Sequence, residues 1–323
     1  MNMKEYAFGI DLGGTTAKVG LFTTAGALLE KWEVPTDTSN AGEHILGNLA
    51  KAVKDKMQEN GITAEQVEGV GVGVPGPVLD SRIVPIVCAN LGGWGERNVS
   101  IQLSGLLDGI KVLVGNDADV AALGEIWMGC AKGCRSAVMV TLGTGVGSGI
   151  IINSKIYNGY GFAGGEVGHS VICLNGRQCT CGRKGCIDIY CSATGLILTT
   201  KEQMNKNPDS LMWKLCDGDI DKVDGRTCFD AAAQGDKAGQ AAVEEYTGVL
   251  SEVIVNAVNT LQPEIICLGG GVSKQGENLL RPIREHMNRF CFDRFSQNRT
   301  EVRIAELGND AGVIGAALIG LQA

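Results

Sequence analysis

The sequence predicts an α/β protein built from two related domains. Three observations carry that expectation. Short apolar, β-branched runs alternate along the chain with helical periodicities. A strand–glycine turn–strand pattern occurs twice, 130 residues apart. And 47 of the 323 residues are glycine, roughly twice the ordinary usage of ~7%, without a collagen period, so the glycines serve turns and close backbone approach.

The first strand is expected over residues 6–10. It runs into Asp11-Leu12-Gly13-Gly14-Thr15-Thr16, a second strand over 19–22, and the turn Ala25-Gly26. Residues 43–59 place Ile45, Leu49, Val53 and Met57 four apart, one face of a helix. Strands are read at 69–74 and 111–114, with a helix following over 118–128. The opening grammar then returns: a strand over 138–140, the turn Thr141-Leu142-Gly143-Thr144-Gly145, and a strand over 149–152, aligning Asp11 with Thr141 and Gly13 with Gly143. A long amphipathic helix over 238–261 carries Val243, Tyr246, Leu250, Ile254, Val258 and Leu261, and Pro263 ends it. A strand over 265–268 closes on Gly269-Gly270-Gly271, and helices are expected over 276–290 and 311–321. The domains are expected to be 1–117 with about 309–323, and 118–308, the last helix returning to the first domain.

Composition narrows the function. Length predicts about two domains, and an apolar fraction of 44% supports a sizeable core. Twenty-eight basic against 36 acidic residues leave a net charge of −8, which argues against nucleic-acid or membrane-surface partners. The start shows no secretion signal. The uncharged stretch 136–154 is too rich in Gly, Ser, Thr and Asn for a membrane helix. Twelve cysteines, most of them single and in apolar settings, read as reduced thiols of a cytoplasmic protein.

Three glycine turns each follow an apolar strand. Such turns present backbone N–H groups and let phosphate approach without a Cβ in the way. Thr15, Thr16 and Thr144 add hydroxyls and Lys18 a positive charge, while Asp11 beside phosphates implies Mg²⁺. Gly71-Val72-Gly73-Val74-Pro75-Gly76 fits the dinucleotide pattern, yet Pro75 and Pro77 stand where its helix should begin, so it is read as a stiffened loop. No Walker A sequence and no protein-kinase motif set is present.

Taken with Gly115-Asn116-Asp117-Ala118-Asp119, Gly165-Glu166-Val167-Gly168-His169 and Cys179-Thr180-Cys181-Gly182-Arg183-Lys184-Gly185-Cys186, the turns at 11–16 and 141–145 make the chain resemble the ROK family of repressors and bacterial sugar kinases, most of all its glucokinase branch. The match runs in order from about residue 6 to the C-terminus. The resemblance implies the actin-like, ribonuclease H-like fold, two α/β domains around a cleft. It implies ATP-dependent phosphorylation of a hexose at the 6-hydroxyl, most of all glucose. ATP phosphates would meet Asp11, Gly13, Gly14, Thr15, Thr16, Lys18, Thr144 and Gly145, and Gly270 and Gly271 would border the adenosine. Asp117, which as a bare sequence feature reads as a helix N-cap, would be the general base. Gly76, Asn90, Asn116, Glu166, His169 and Asp188 would contact sugar. Family members are often dimers or tetramers, so a homo-oligomer is expected.

Cys179, Cys181 and Cys186, with His169 ten residues before the first, form a Cys₃His set suited to tetrahedral, structural Zn²⁺; free thiols or a local disulfide are the plain alternatives. One departure stands out: the family usually has Glu where this chain has Asp188, which leaves mannose, fructose, N-acetylmannosamine, N-acetylglucosamine and allose open as substrates. The family's repressors carry a helix-turn-helix ahead of the sugar domain. Here the phosphate motif starts at Asp11, so a regulator is disfavoured.

Overall fold

The computed structural model describes residues 4–84, Cys88 and 91–322. The chain divides into two compact units, Met1–Arg135 with Gly149–Gly165 and Glu306–Ala323, and Ser136–Ser148 with Glu166–Ala305. The break expected at Asp117 falls inside the first unit.

The first unit contains β1 (Tyr6–Leu12), β2 (Thr16–Thr23), β3 (Leu28–Pro35), α1 (Ile45–Glu59), β4 (Val67–Val74), the short pair β5 (Ile83–Val84) and β6 (Arg97–Asn98), α2 (Val99–Leu106), β7 (Val112–Asn116) and α3 (Asp117–Met128). In the rest of the chain come β8 (Ala137–Leu142), β9 (Val146–Ile152), β10 (Lys155–Ile156), α4 (Asp188–Cys191), α5 (Ala193–Lys206), α6 (Leu211–Leu215), α7 (Thr227–Ala233), α8 (Lys237–Leu261), β11 (Ile265–Gly269), α9 (Glu277–Phe290) and β12 (Glu301–Ile304). Helix α10 (Ala311–Gly320) then belongs to the first unit again.

The internal repeat extends to the sheets. One sheet has the order β3-β2-β1-β4-β7 and the other β10-β9-β8-β11-β12. Numbered within each sheet, both read 3-2-1-4-5. In the first, β1 is antiparallel to β2 and parallel to β4, and β4 is parallel to β7. In the second, β11 is parallel to β8 and to β12. The stretch 136–154 is β8, a turn and β9. Among the described residues no helix is long and apolar enough to cross a membrane.

Strand β4 shows why its sequence mimics a dinucleotide fingerprint. It is central and parallel, and all of its residues except Glu68 are buried, as a strand covered on both faces must be. Gly71 makes room for α10 and Gly73 for α3: a Cβ on Gly71 would stand 1.7 Å from the Ala316 carbonyl oxygen, and one on Gly73 2.7 Å from Val120 Cγ2. After Gly76 the next helix among the described residues is α2, at Val99. Helix α10 is apolar on every side and buried over nearly its whole length, packed on α3, β1 and β4. On the other side of the sheet, α1 presents Ile45, Leu49, Val53 and Met57 to the core, the face read from the four-residue spacing.

One carboxylate ties the entry of α10 to α3. Glu125 is fully buried and accepts the N–H groups of Cys130 (2.9 Å), Glu306 (3.1 Å) and Leu307 (2.9 Å). Glu125→Ala would strand one buried donor, the Cys130 N–H, and two part-buried ones, so a loss of about 2–3 kcal/mol is expected, read as a lower urea midpoint at unchanged slope.

Candidate active site

In the first unit the opening turn is tied at both ends. Gly13 N–H donates to Thr16 O (3.2 Å), Thr36 Oγ1 donates to Gly13 O (2.7 Å), and Thr36 N–H donates to Thr15 O (2.9 Å). Thr36 was not read from the sequence, because it lies beyond β3 and meets the turn only through sheet pairing. Asp11 sits on β1 directly opposite Lys18 on β2. Its carboxylate lies at the N-terminal turn of α10, so close that a Cβ on Gly312 would stand 2.6 Å from the Asp11 Cγ. Burial raises the Asp11 pKa and Lys18 opposes that shift. A half-buried carboxylate of this kind is suited to a divalent cation. Lys18 Nζ donates to the carbonyl oxygen of Asn309 (2.9 Å), in the middle of the short turn Gly308–Asp310 that leads into α10.

The junction of β7 and α3 places Asn116 and Asp117. Asn116, not Asp117, is the N-cap of α3: its Oδ1 accepts the N–H groups of Ala118 (2.9 Å) and Asp119 (3.2 Å). Its Nδ2 donates to Gly76 O (3.0 Å), joining the end of β7 to the loop after β4. Asp117 is thereby released from capping and stands exposed as the first residue of the helix, with Oδ1 accepting the Ala118 N–H (2.8 Å). The helix N-terminus favours its ionised form. Cys88 lies near enough to feel it, since burial and then the Asp117 charge push its thiol up. Asn90 lies outside the described residues.

In the second unit the repeat turn also closes from its glycine, one residue tighter than its counterpart, with Gly143 N–H donating to Gly145 O (3.0 Å). The third glycine turn abuts it. Gly270 has φ +83°, and a Cβ there would stand 2.5 Å from the Leu142 carbonyl. Gly271 follows and precedes a short helical turn. Thus Thr144, Gly145, Gly270 and Gly271 belong to one neighbourhood. The α4–α5 segment joins it: Asp188 Oδ1 accepts the Val146 N–H (2.7 Å), Ala193 N–H donates to Gly143 O (2.7 Å), and Thr194 Oγ1 donates to Thr144 O (2.8 Å). Sequence reading missed Ala193 and Thr194. The available signal was Ser192, the N-cap of α5, whose Oγ accepts the Gly195 N–H (3.0 Å).

Glu166 is exposed and precedes a single helical turn, Val167–His169. The Val167 N–H is held by Ser148 Oγ (3.1 Å), which fixes this segment to β9. His169 meets the cysteines: one donor atom from each of His169, Cys179, Cys181 and Cys186 lies within 4.8 Å of all the others. Cys181 and Cys186 have sulfurs 3.7 Å apart, and Cys179 Sγ is 3.9 Å from His169 Nδ1. A disulfide needs ~2.05 Å, whereas two thiolates at ~2.3 Å from one tetrahedral ion stand ~3.8 Å apart. Burial, followed by the neighbouring thiols, pushes Cys186 up to about 11, while the Arg183 N–H pulls exposed Cys181 down. A buried thiol crowded by its neighbours, as Cys186 is, is a donor that a soft divalent cation relieves.

The ROK family model matches residues 7–323. The chain is 37% identical over 312 residues to a glucokinase of Halalkalibacterium halodurans, covering 95% of this chain and 92% of that protein. It is similar in structure to a ROK family glucokinase from Streptomyces griseus in complex with glucose and AMPPNP, with a TM-score of 0.77 and 31% identity over 98% of this chain and 100% of that one. It is also similar to a ROK hexokinase from Thermus thermophilus, with a TM-score of 0.80 and 28% identity over 98% of each chain.

Proposed function

The chain belongs to the ROK family and has its actin-like fold, and from that premise we propose that it is an ATP-dependent sugar kinase transferring the γ-phosphoryl group to the 6-hydroxyl of glucose. The observation that carries a catalytic reading is Asp117: an exposed carboxylate heading a helix whose cap is supplied by its neighbour. In the proposed reaction Asp117 accepts the proton of the 6-hydroxyl as that oxygen attacks phosphorus, and ADP leaves. Asn116 fixes the approach by holding the Gly76 loop against α3. Glu166 and His169 orient the sugar ring, the carboxylate accepting from its hydroxyls. The turns at Gly13–Thr16 and Thr141–Gly145 bind phosphate through backbone N–H groups, and Gly270–Gly271 borders the nucleoside.

Mg²⁺ would be held by ATP oxygens and by Asp11, directly or through water, and would neutralise charge on the phosphates. Zn²⁺ is the ion we assign to His169, Cys179, Cys181 and Cys186; four protein donors fill its coordination, so its part is to fix the His169 segment. A reducing, cytoplasmic setting, in which cysteines stay thiols and thiolates, belongs to the same reading.

The test is ADP release from Mg-ATP across hexoses and N-acetylhexosamines. Glucose is expected to give the largest kcat/KM. A larger value for another sugar would keep the mechanism and move the specificity, and silence across the panel with ATP bound would overturn the kinase reading.

A further inference from the structure

We propose that Asp188 is a positioning residue of the nucleotide turn; this rests on reading the turn at Thr141–Gly145 as the ATP-phosphate turn. Four observations place it there. Its Oδ1 accepts the N–H of Val146, the first residue of β9 (2.7 Å). Gly145 exists as glycine at that point because a Cβ would stand 2.8 Å from the same oxygen. The two residues that open α5 hold the rest of the turn, Ala193 through Gly143 O (2.7 Å) and Thr194 through Thr144 O (2.8 Å). Finally, the far end of α4 is itself anchored: the Cys191 carbonyl accepts from the buried Tyr246 hydroxyl of α8 (2.6 Å).

The chain of contacts therefore runs from α8 through α4 to the turn. A bond from a carboxylate to a backbone N–H is charge-assisted, short and directional. It sets where β9 starts, and hence which way the N–H groups of Thr144 and Gly145 face. The short side chain of Asp188 suits that use, since the residue begins α4 beside the turn.

The experiment is equilibrium titration of wild type, Asp188→Ala and Asp188→Asn with Mg-AMPPNP and, separately, with glucose. Loss of one charge-assisted bond is expected to weaken Mg-AMPPNP binding to Asp188→Ala roughly tenfold or more, with glucose within about twofold of wild type. Asp188→Asn keeps a carbonyl oxygen for the Val146 N–H, so its Mg-AMPPNP affinity should lie within about threefold of wild type. Weakened glucose binding with Mg-AMPPNP unchanged would make Asp188 a sugar ligand and overturn the proposal. Equal weakening of both ligands, or of neither, would overturn it as well. A wild type that binds Mg-AMPPNP but not glucose would sink the sugar assignment alone and leave the Asp188 comparison readable. A wild type that binds no Mg-AMPPNP would remove the nucleotide turn and the proposal with it.

Discussion

Asp117→Asn is expected to lower kcat by roughly 10²–10⁴-fold, the usual contribution of a positioned general base. Glucose and Mg-ATP binding should hold within about threefold, because the substitution removes a proton acceptor and leaves the shape of the residue intact. The separation of binding from turnover follows from the local structure. Asp117 does not cap α3; Asn116 does, through the N–H groups of Ala118 and Asp119. Asp117 is also exposed, so no core contact depends on its charge. Its structural contributions on the surface are modest: its Oδ1 shares the Ala118 N–H with Asn116, which asparagine's amide oxygen can also accept, and a negative charge at a helix N-terminus is worth ~0.3–1 kcal/mol. A thermal or urea midpoint close to wild type, with kcat collapsed, is therefore the expected pair of results. Asn116→Ala is the informative contrast. It should lose stability by about 1 kcal/mol through the cap and lower kcat less than Asp117→Asn, since the loop carrying Gly76 loosens while the base survives. Turnover retained in Asp117→Asn would move the base elsewhere.

How much of this was legible in the sequence depends on whether the signal was local. The glycine turns, the α1 face and the long α8 helix are local: a period, a turn residue or a proline states each of them. The repeat of two turns was readable too, but the identity of the two five-stranded sheets was not. β3 and β12 are edge strands with half their residues in solvent, and only Trp32, Val34, Val302 and Ile304 mark their inward faces. The same division runs through the site. Asp117 and the cysteine cluster are contiguous motifs. The exchange of roles between Asn116 and Asp117 is a matter of backbone dihedrals: Asn116 has the extended conformation of a cap (φ −63°, ψ 147°) and either residue type can serve there. The attachments of Thr36 to Gly13, of Asp188 to Val146 and of Thr194 to Thr144 join residues 23, 42 and 50 positions apart. No periodicity connects such pairs, and only the folded sheet brings them together.

Cys181→Ser is expected to reduce bound zinc from about one ion per chain to almost none, and to weaken glucose far more than nucleotide. Serine keeps the size of the side chain but replaces a thiolate donor by a hydroxyl that stays protonated at neutral pH. Cys181 is the member to change because it is exposed, whereas Cys179 and Cys186 are buried and their loss would confound metal binding with packing. In the proposed site His169 is the residue that links the metal loop to the sugar; its Nδ1 lies 3.9 Å from Cys179 Sγ, and Arg183 braces it by donating from Nη1 to the His169 carbonyl (3.0 Å). Without the ion, the Cys186 thiol, 3.7 Å from that of Cys181 and with its pKa pushed up to about 11, carries a proton at pH 7. Loading the apoprotein with zinc should therefore release at least about one proton per ion, and affinity should fall as pH is lowered, because protons and metal compete for the same sulfurs. Calorimetry in two buffers of different ionisation enthalpy counts those protons directly, and metal analysis of the variant counts the ion. Zinc retained at full stoichiometry in Cys181→Ser, or binding without proton release, would remove the thiolate set as the zinc site. The sharper expectation concerns glucose: a tenfold or greater loss of affinity in the metal-free protein, with Mg-AMPPNP affected less, follows if the ion's work is to hold His169 against the sugar.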